Sequence, residues 1–140
     1  MNNEQVEELM RHHLRNSFPL FDEKHKVQVS KSGSCIGYRT TAETLGSIDG
    51  TTHFDIQIIG NICYILWLEL ERDKRGAGDG WKLYETVHQF ARDARMKSVR
   101  QTPSGGFIHG GKMIETRREY LLKRGHAPFG ELEVELALGN

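Results

Sequence analysis

The chain has 140 residues, 37% hydrophobic and 27% charged, which fits one globular domain, residues 1–140, with room for a core. Its 19 basic and 19 acidic residues cancel, so bulk charge does not signal nucleic acid or an anionic membrane. No apolar run approaches the ~20 residues of a membrane helix.

The N-terminal stretch is polar and amphipathic, without a signal-like apolar core, and a cytoplasmic location is expected. Cys35 and Cys63 make neither a disulfide framework nor a metal-like pair. Cys63 lies in an apolar strand and reads as a buried, inert thiol.

Glu4 to Arg15 reads as a helix, with Val6, Leu9, Met10, His13 and Leu14 on one stripe and Asn2 or Asn3 as its cap. Ser17-Phe18-Pro19 ends it, because proline disfavours a helical residue before it. His12 and His13 are adjacent and point in different directions, so no shared metal site is expected. Lys26 to Ser30 and Cys35 to Thr40 read as strands joined by turn chemistry at Ser32-Gly33-Ser34. Thr41 to Thr52 reads as a polar loop.

His53 to Ile59 and Ile62 to Leu70 form the clearest hairpin, with Gly60-Asn61 at its turn. Phe54, Ile56 and Ile58 share a face. The second strand is apolar on both faces, which predicts a central strand covered on both sides. In strict alternation Cys63, Ile65, Trp67 and Glu69 oppose Tyr64, Leu66, Leu68 and Leu70.

A helix follows, running to about Arg95, with Trp81, Tyr84, Val87, Ala91 and Ala94 recurring at helical spacing. Ser98 to Thr102 reads as a strand closed by Pro103, and Ser104 to Gly111 as a glycine-rich loop. Lys112 to Arg124 reads as a helix capped by Gly125, with Met113, Ile114, Arg117, Tyr120 and Leu121 near one face. Glu131 to Leu138 alternates as a last strand. The order predicts a mixed α/β layer around a partly antiparallel sheet flanked by helices.

Chemistry concentrates between the central strand and the helix after it, where Arg75-Gly76-Ala77-Gly78-Asp79-Gly80 lies. The first N–H groups of a helix have no internal partner, and the helix dipole adds positive potential, so such a junction suits an anion. The dinucleotide fingerprint G-x-G-x-x-G is absent, and no Gly-Lys-Ser/Thr follows as in a P-loop.

The stretch resembles motif A of the GNAT-type N-acetyltransferases, in the run Leu68-x-Leu70-x-Arg72-x-x-Arg75-Gly76-x-Gly78-x-Gly80-x-x-Leu83. The family core Q/R-x-x-G-x-G/A is met by Arg75-x-x-Gly78-x-Gly80. Aligned on Gly76 and Gly78, it places Asp73 first instead, so two registers stay open. The resemblance covers roughly Asp55 to Gly125. It implies acetyl-CoA as acyl donor, its pyrophosphate on backbone N–H groups of Arg75, Gly76, Ala77, Gly78, Asp79 and Gly80. The pantetheine amides would pair with Leu70 as an added strand does. The acceptor would be an amine of undefined class, without a membrane partner, and oligomeric state is open, a homodimer included.

The helix before Gly125 resembles motif B, whose tyrosine often protonates the departing thiolate. That position holds Leu121, and Tyr120 lies one residue, about 100°, around the helix. Tyr120 is the candidate acid. Its bland reading is a half-buried packing residue with a wet hydroxyl. An attacking ammonium of pKa ~10.4 needs a base. Glu69 is the candidate, beside the place where family sheets splay; a solvated strand-end carboxylate is its bland reading. His109 is the other, while His53 and His88 lack a distinctive context. Asp79 inside the loop would repel phosphates, with Lys74, Arg75 and Lys82 in opposition. The rival expectation is a noncatalytic or diverged GNAT-fold binding or structural protein. The basic group Arg92, Arg95, Lys97 and Arg100 is the only hint of a nucleic-acid modifier, and such a charge run is usually a solvated face.

Overall fold

A computed structural model describes residues 2–17, 28–33, 35–39, 53–69 and 79–139. Helix α1, Asn3–Ser17, opens the fold. The Asn2 side chain accepts from Gln5 N–H, and the Gln5 side chain accepts from Asn2 N–H, each at 2.9 Å. This reciprocal cap satisfies donors the first turn leaves unpaired.

Strands β1 (Gln28–Ser32), β2 (Cys35–Arg39), β3 (His53–Ile59) and β4 (Ile62–Glu69) follow as an antiparallel meander. Helix α2, Asp79–Asp93, crosses to β5, Ser98–Gln101, which pairs parallel with β4. The chain then makes β6 (Gly106–His109), β7 (Lys112–Thr116), α3 (Arg117–Leu122), β8 (Ala127–Phe129) and β9 (Glu133–Ala137). Among the described residues the main sheet has seven strands in the order β1-β2-β3-β4-β5-β9-β8, while β6 and β7 form a two-stranded sheet of their own. This is the mixed, mostly antiparallel sheet with helices that the sequence predicts. The expected loop Thr41 to Thr52 lies outside the described residues.

Register explains which face is core. Val29, Tyr38, Ile56, Ile65, Gln101, Val134 and Pro128 follow one another across the sheet as facing pairs. On this face Tyr38, Ile56, Cys63, Val99 and Val134 are fully buried, in one cluster with Met10 and Leu14 of α1, Val87 and Phe90 of α2, and Leu121 of α3. Burial pushes the Cys63 thiol up to about 12, so it is not a nucleophile at neutral pH. The row Gln57, Tyr64, Arg100 and Glu135 runs on the opposite face. There Arg100 Nε donates to Glu135 at 2.5 Å, and its guanidinium lies 4.0 Å above the Phe129 ring.

Several expectations are corrected. Strict alternation along β4 fails because Asp55 faces Trp67 while Ile56 faces Ile65, leaving Leu66 without a partner. This bulge turns Leu66 (51% exposed) and Trp67 (55%) outward and returns Leu68 (7%) to the core. β4 is central in strand order, but its apolar character on both faces does not mean cover on both, since those two side chains are exposed.

Lys112 to Thr116 is strand, not helix, and Gly106 to His109, expected as loop, is its partner. Gly110 and Gly111, with φ of 60° and 78°, form the two-residue turn that requires left-handed backbone at both positions. The helix starts only at Arg117, where Thr116 caps the Glu119 N–H and the Glu119 side chain returns to the Thr116 N–H. β8 was not expected, and the last strand begins at Glu133, two residues after the predicted Glu131. No helix among the described residues is long and apolar enough to cross a membrane.

Candidate functional site

Beyond Ile65 and Gln101 the parallel pair β4–β5 ends, yet β4 continues to Glu69. The bulge at Leu66 falls just beyond this last pair, where β5 itself ends. Past this pair the end of β4 has no described partner on the β5 side, and the next described element is α2, whose first two residues are Asp79 and Gly80. Glu69 pairs with His53 as the last residue of β4. Leu70, Arg75, Gly76, Ala77 and Gly78 lie outside the described residues.

Against the first turns of α2 stands an aromatic group drawn from three elements. Trp81 and Tyr84 face Tyr120 of α3 at centroid distances of 6.0 and 6.3 Å, and Phe107 of β6 faces it at 4.8 Å. The Arg124 guanidinium lies 3.5 Å over the Tyr120 ring and donates to the Tyr120 carbonyl at 3.0 Å. Burial raises the Tyr120 pKa, with Arg124 opposing. Arg117 Nη1 donates to the Tyr84 hydroxyl at 3.2 Å, while its Nε is buried and without an acceptor among the described residues. Tyr120 is half-buried and packs among these rings.

One turn further along α2, His88 meets His126 at a ring distance of 5.3 Å, both about 95% or more buried. Burial, then His126 and Arg92, hold His88 down at about 3. Burial also lowers His126, partly offset by its backbone bond with Leu121. The rings are neutral at pH 7 and join α2 to the chain leaving α3. An open cavity of about 400 Å³ runs beside α2, with Trp81, Lys82, Arg92 and Arg124 on its wall.

The sequence singled out Tyr120 but gave no role to Arg117, Arg124, Phe107 or the two buried histidines. Trp81, Tyr84 and His88 recur at i, i+3 and i+7 of α2, so an aromatic stripe was visible there. Their partners are 19 or more residues away in the chain and carry no spacing signal. His109 lies at the end of β6.

No family model and no curated protein sequence matches the chain. Solved structures do. An acetyltransferase assigned to the GNAT family from Desulfovibrio desulfuricans superposes with a TM-score of 0.55 at 10% identity, covering 99% of this chain and 95% of that one. An aminoglycoside 6′-acetyltransferase type Ii gives 0.53 at 12% identity, covering 99% and 94%. A GNAT family acetyltransferase from Elizabethkingia anophelis, solved with acetyl-CoA bound, gives 0.50 at 11% identity, covering 80% and 97%. At these identities the likeness is one of fold: the chain has the GNAT fold.

Proposed function

We propose that the protein is an N-acyltransferase that moves an acetyl or related acyl group from acyl-CoA to an amine. The observation carrying this reading is that β4 runs on past its last pair with β5, with the N-terminus of α2, the next described element, beside Tyr120. Carbonyl and N–H groups on the β5 side of the end of β4, and Leu70 next in the sequence, would take the pantetheine amides as an added strand. N–H groups of residues 75–80, ending in the first turn of α2, would take the pyrophosphate. Lys82, in the same first turns of α2, would add a cation for the pyrophosphate.

The aromatic rings of Trp81, Tyr84 and Phe107 around Tyr120 suit the partly apolar pantetheine arm. The thioester supplies the activated acyl group, and the protein supplies position and proton management. Glu69 would receive the ammonium proton so that the amine can attack. The Tyr120 hydroxyl, protonated at neutral pH as a phenol is and raised further by burial, would give its proton to the departing thiolate. The rival reading, a GNAT-fold protein that binds without turning over, is favoured by Asp79 in the loop sequence and by the close stacking of Arg124 on Tyr120.

The test is thermal. CoA at millimolar concentration should raise the melting temperature, because a ligand that binds only the folded state stabilises it. Gly78→Val should abolish the rise, and Asp79→Ala should enlarge it by removing a like charge. Without any CoA-dependent rise the acyltransferase reading falls. A rise without turnover on any amine favours the rival.

A further inference from the structure

Arg124 is held by the backbone on both sides of it. Its N–H donates to the Leu121 carbonyl at 3.0 Å, the chain turns at Gly125 with φ of 95°, and His126 beyond is buried against His88. A side chain one turn past Tyr120 leans back toward the residue four before it. The Arg124 guanidinium does so. It lies 3.5 Å over the Tyr120 ring and 5.7 Å from the Trp81 ring, and it donates to the Tyr120 carbonyl at 3.0 Å. One side chain thus spans α3 and α2 at the ring of the candidate acid.

The other charged groups near that ring are engaged elsewhere. Glu115 of β7 is paired with Lys123 at 2.6 Å, and Arg117 gives its Nη1 to the Tyr84 hydroxyl of α2 at 3.2 Å. Phe107 of β6 and Trp81 of α2 are uncharged. Burial pushes the Tyr120 phenol up; Arg124 acts most strongly against it and Arg117 less so, while Tyr84 and Glu115 add to the rise.

We propose that Arg124 is a positioning residue for Tyr120, clamping its ring against Trp81, Tyr84 and Phe107 and holding a cation over it while it acts as the acid. This rests on the acyltransferase reading above. As the thioester C–S bond breaks, the departing sulfur takes the Tyr120 O–H proton. An S–H bond forms and a phenolate is left, which takes a proton back from solvent after CoA leaves. A cation on the ring face attracts a phenolate more than a phenol, so the contact strengthens as the reaction proceeds. Packing alone would need only bulk at position 124, whereas this role needs a cation there.

The experiment uses the whole chain. Ultraviolet absorbance follows tyrosinate formation with pH, and Tyr120→Phe identifies the Tyr120 step among the four tyrosines. Arg124→Met, which keeps bulk without charge, should move that step to higher pH, and Arg124→Lys should leave it near the wild-type position. High salt should shrink the difference, because Arg124 is exposed. Turnover is followed by CoA release from acetyl-CoA with L-phenylalanine, spermidine and kanamycin. On any of these that is acetylated, Arg124→Met should lower kcat roughly three- to tenfold, the worth of a cation on a ring face. KM for acetyl-CoA and the CoA-dependent melting shift should not change, and Arg124→Lys should restore kcat. In a Tyr120→Phe background Arg124→Met should lower kcat no further. An unmoved tyrosinate step overturns the proposal, as does a loss of kcat that lysine fails to restore. Loss of the CoA shift in Arg124→Met also overturns it, since Arg124 would then hold the cofactor. If none of the three amines is acetylated, the tyrosinate step decides. Absence of the CoA shift in the wild type sinks the acyltransferase reading whatever the tyrosinate step does.

Discussion

Two hairpins of this molecule share one local plan and differ in where they end up. β3–β4 turns at Gly60-Asn61 and bulges at Leu66; β6–β7 turns at Gly110-Gly111 and bulges at Ile114. The first has strands on both sides and places Ile56, Cys63 and Ile65 in the core. Among the described residues the second leans mainly on α3 and exposes Met113 and Ile114. Turn chemistry and alternation make a hairpin, but burial makes it a pillar of the fold. A hairpin of the second kind contributes little to stability.

The largest test of this contrast is truncation. Ile56→Ala should cost about 2–5 kcal/mol, as for other buried aliphatic deletions, and Met113→Ala less than about 0.5 kcal/mol. Urea unfolding with an unchanged slope reads both. Equal losses would make the second hairpin part of the core.

Acid should sharpen the contrast next. His88 and His126 have folded pKa values below the ordinary 6.5, so the unfolded chain binds their protons more readily. Their contribution is therefore fully present above about 6.5 and is lost as pH falls, for His88 down toward about 3. Each such histidine costs up to about 1.4 kcal/mol per pH unit in that window. Groups facing the pair are Arg92, Trp81 and Tyr84. Hydrogen exchange at pH 5 should show α3 and β6–β7 opening before β3–β4, and His88→Phe should flatten the slope of stability against pH. Uniform opening of both hairpins would contradict it.

The smallest test exchanges turns. Gly60 and Gly110 have φ of 61° and 60°, so alanine costs each about 1 kcal/mol locally. Gly60→Ala should lower the global unfolding midpoint. Gly110→Ala should leave it nearly unchanged and raise exchange only between residues 106 and 116. A matching global loss from Gly110→Ala would break the comparison.

The same contrast explains what could be read in advance. β3–β4 was visible because its apolar alternation and turn residues agree. Lys112 to Thr116 was not, because Met113, Ile114, Arg117, Tyr120 and Leu121 mimic a helical stripe across a strand–helix junction. The sequence held two opposing signals: Gly110-Gly111 as a turn, and Thr116-x-x-Glu119 as the start of a helix. The Leu66 bulge was hidden because every residue from Ile62 to Leu68 is apolar, and alternation cannot reveal a slip in such a run. β8 is Ala-Pro-Phe at the sheet edge, too short to carry a period. At the candidate site the sequence supplied Tyr120 and the glycine loop. Arg117, Arg124 and the His88–His126 contact arise only when α2 and α3 are brought together.

Thr116 is both the last residue of β7 and the cap of α3, so no spacer separates hairpin from helix. Lineages of this chain should therefore vary in length unevenly. Residues can be added at the 110–111 tip without disturbing anything behind it. One residue gained or lost at 116–117 would turn α3 by about 100° and swing Tyr120 away from Trp81 and Phe107. Insertions and deletions should gather at the tip and be absent from the junction, and the hairpin's reach could drift while the orientation of Tyr120 stays fixed.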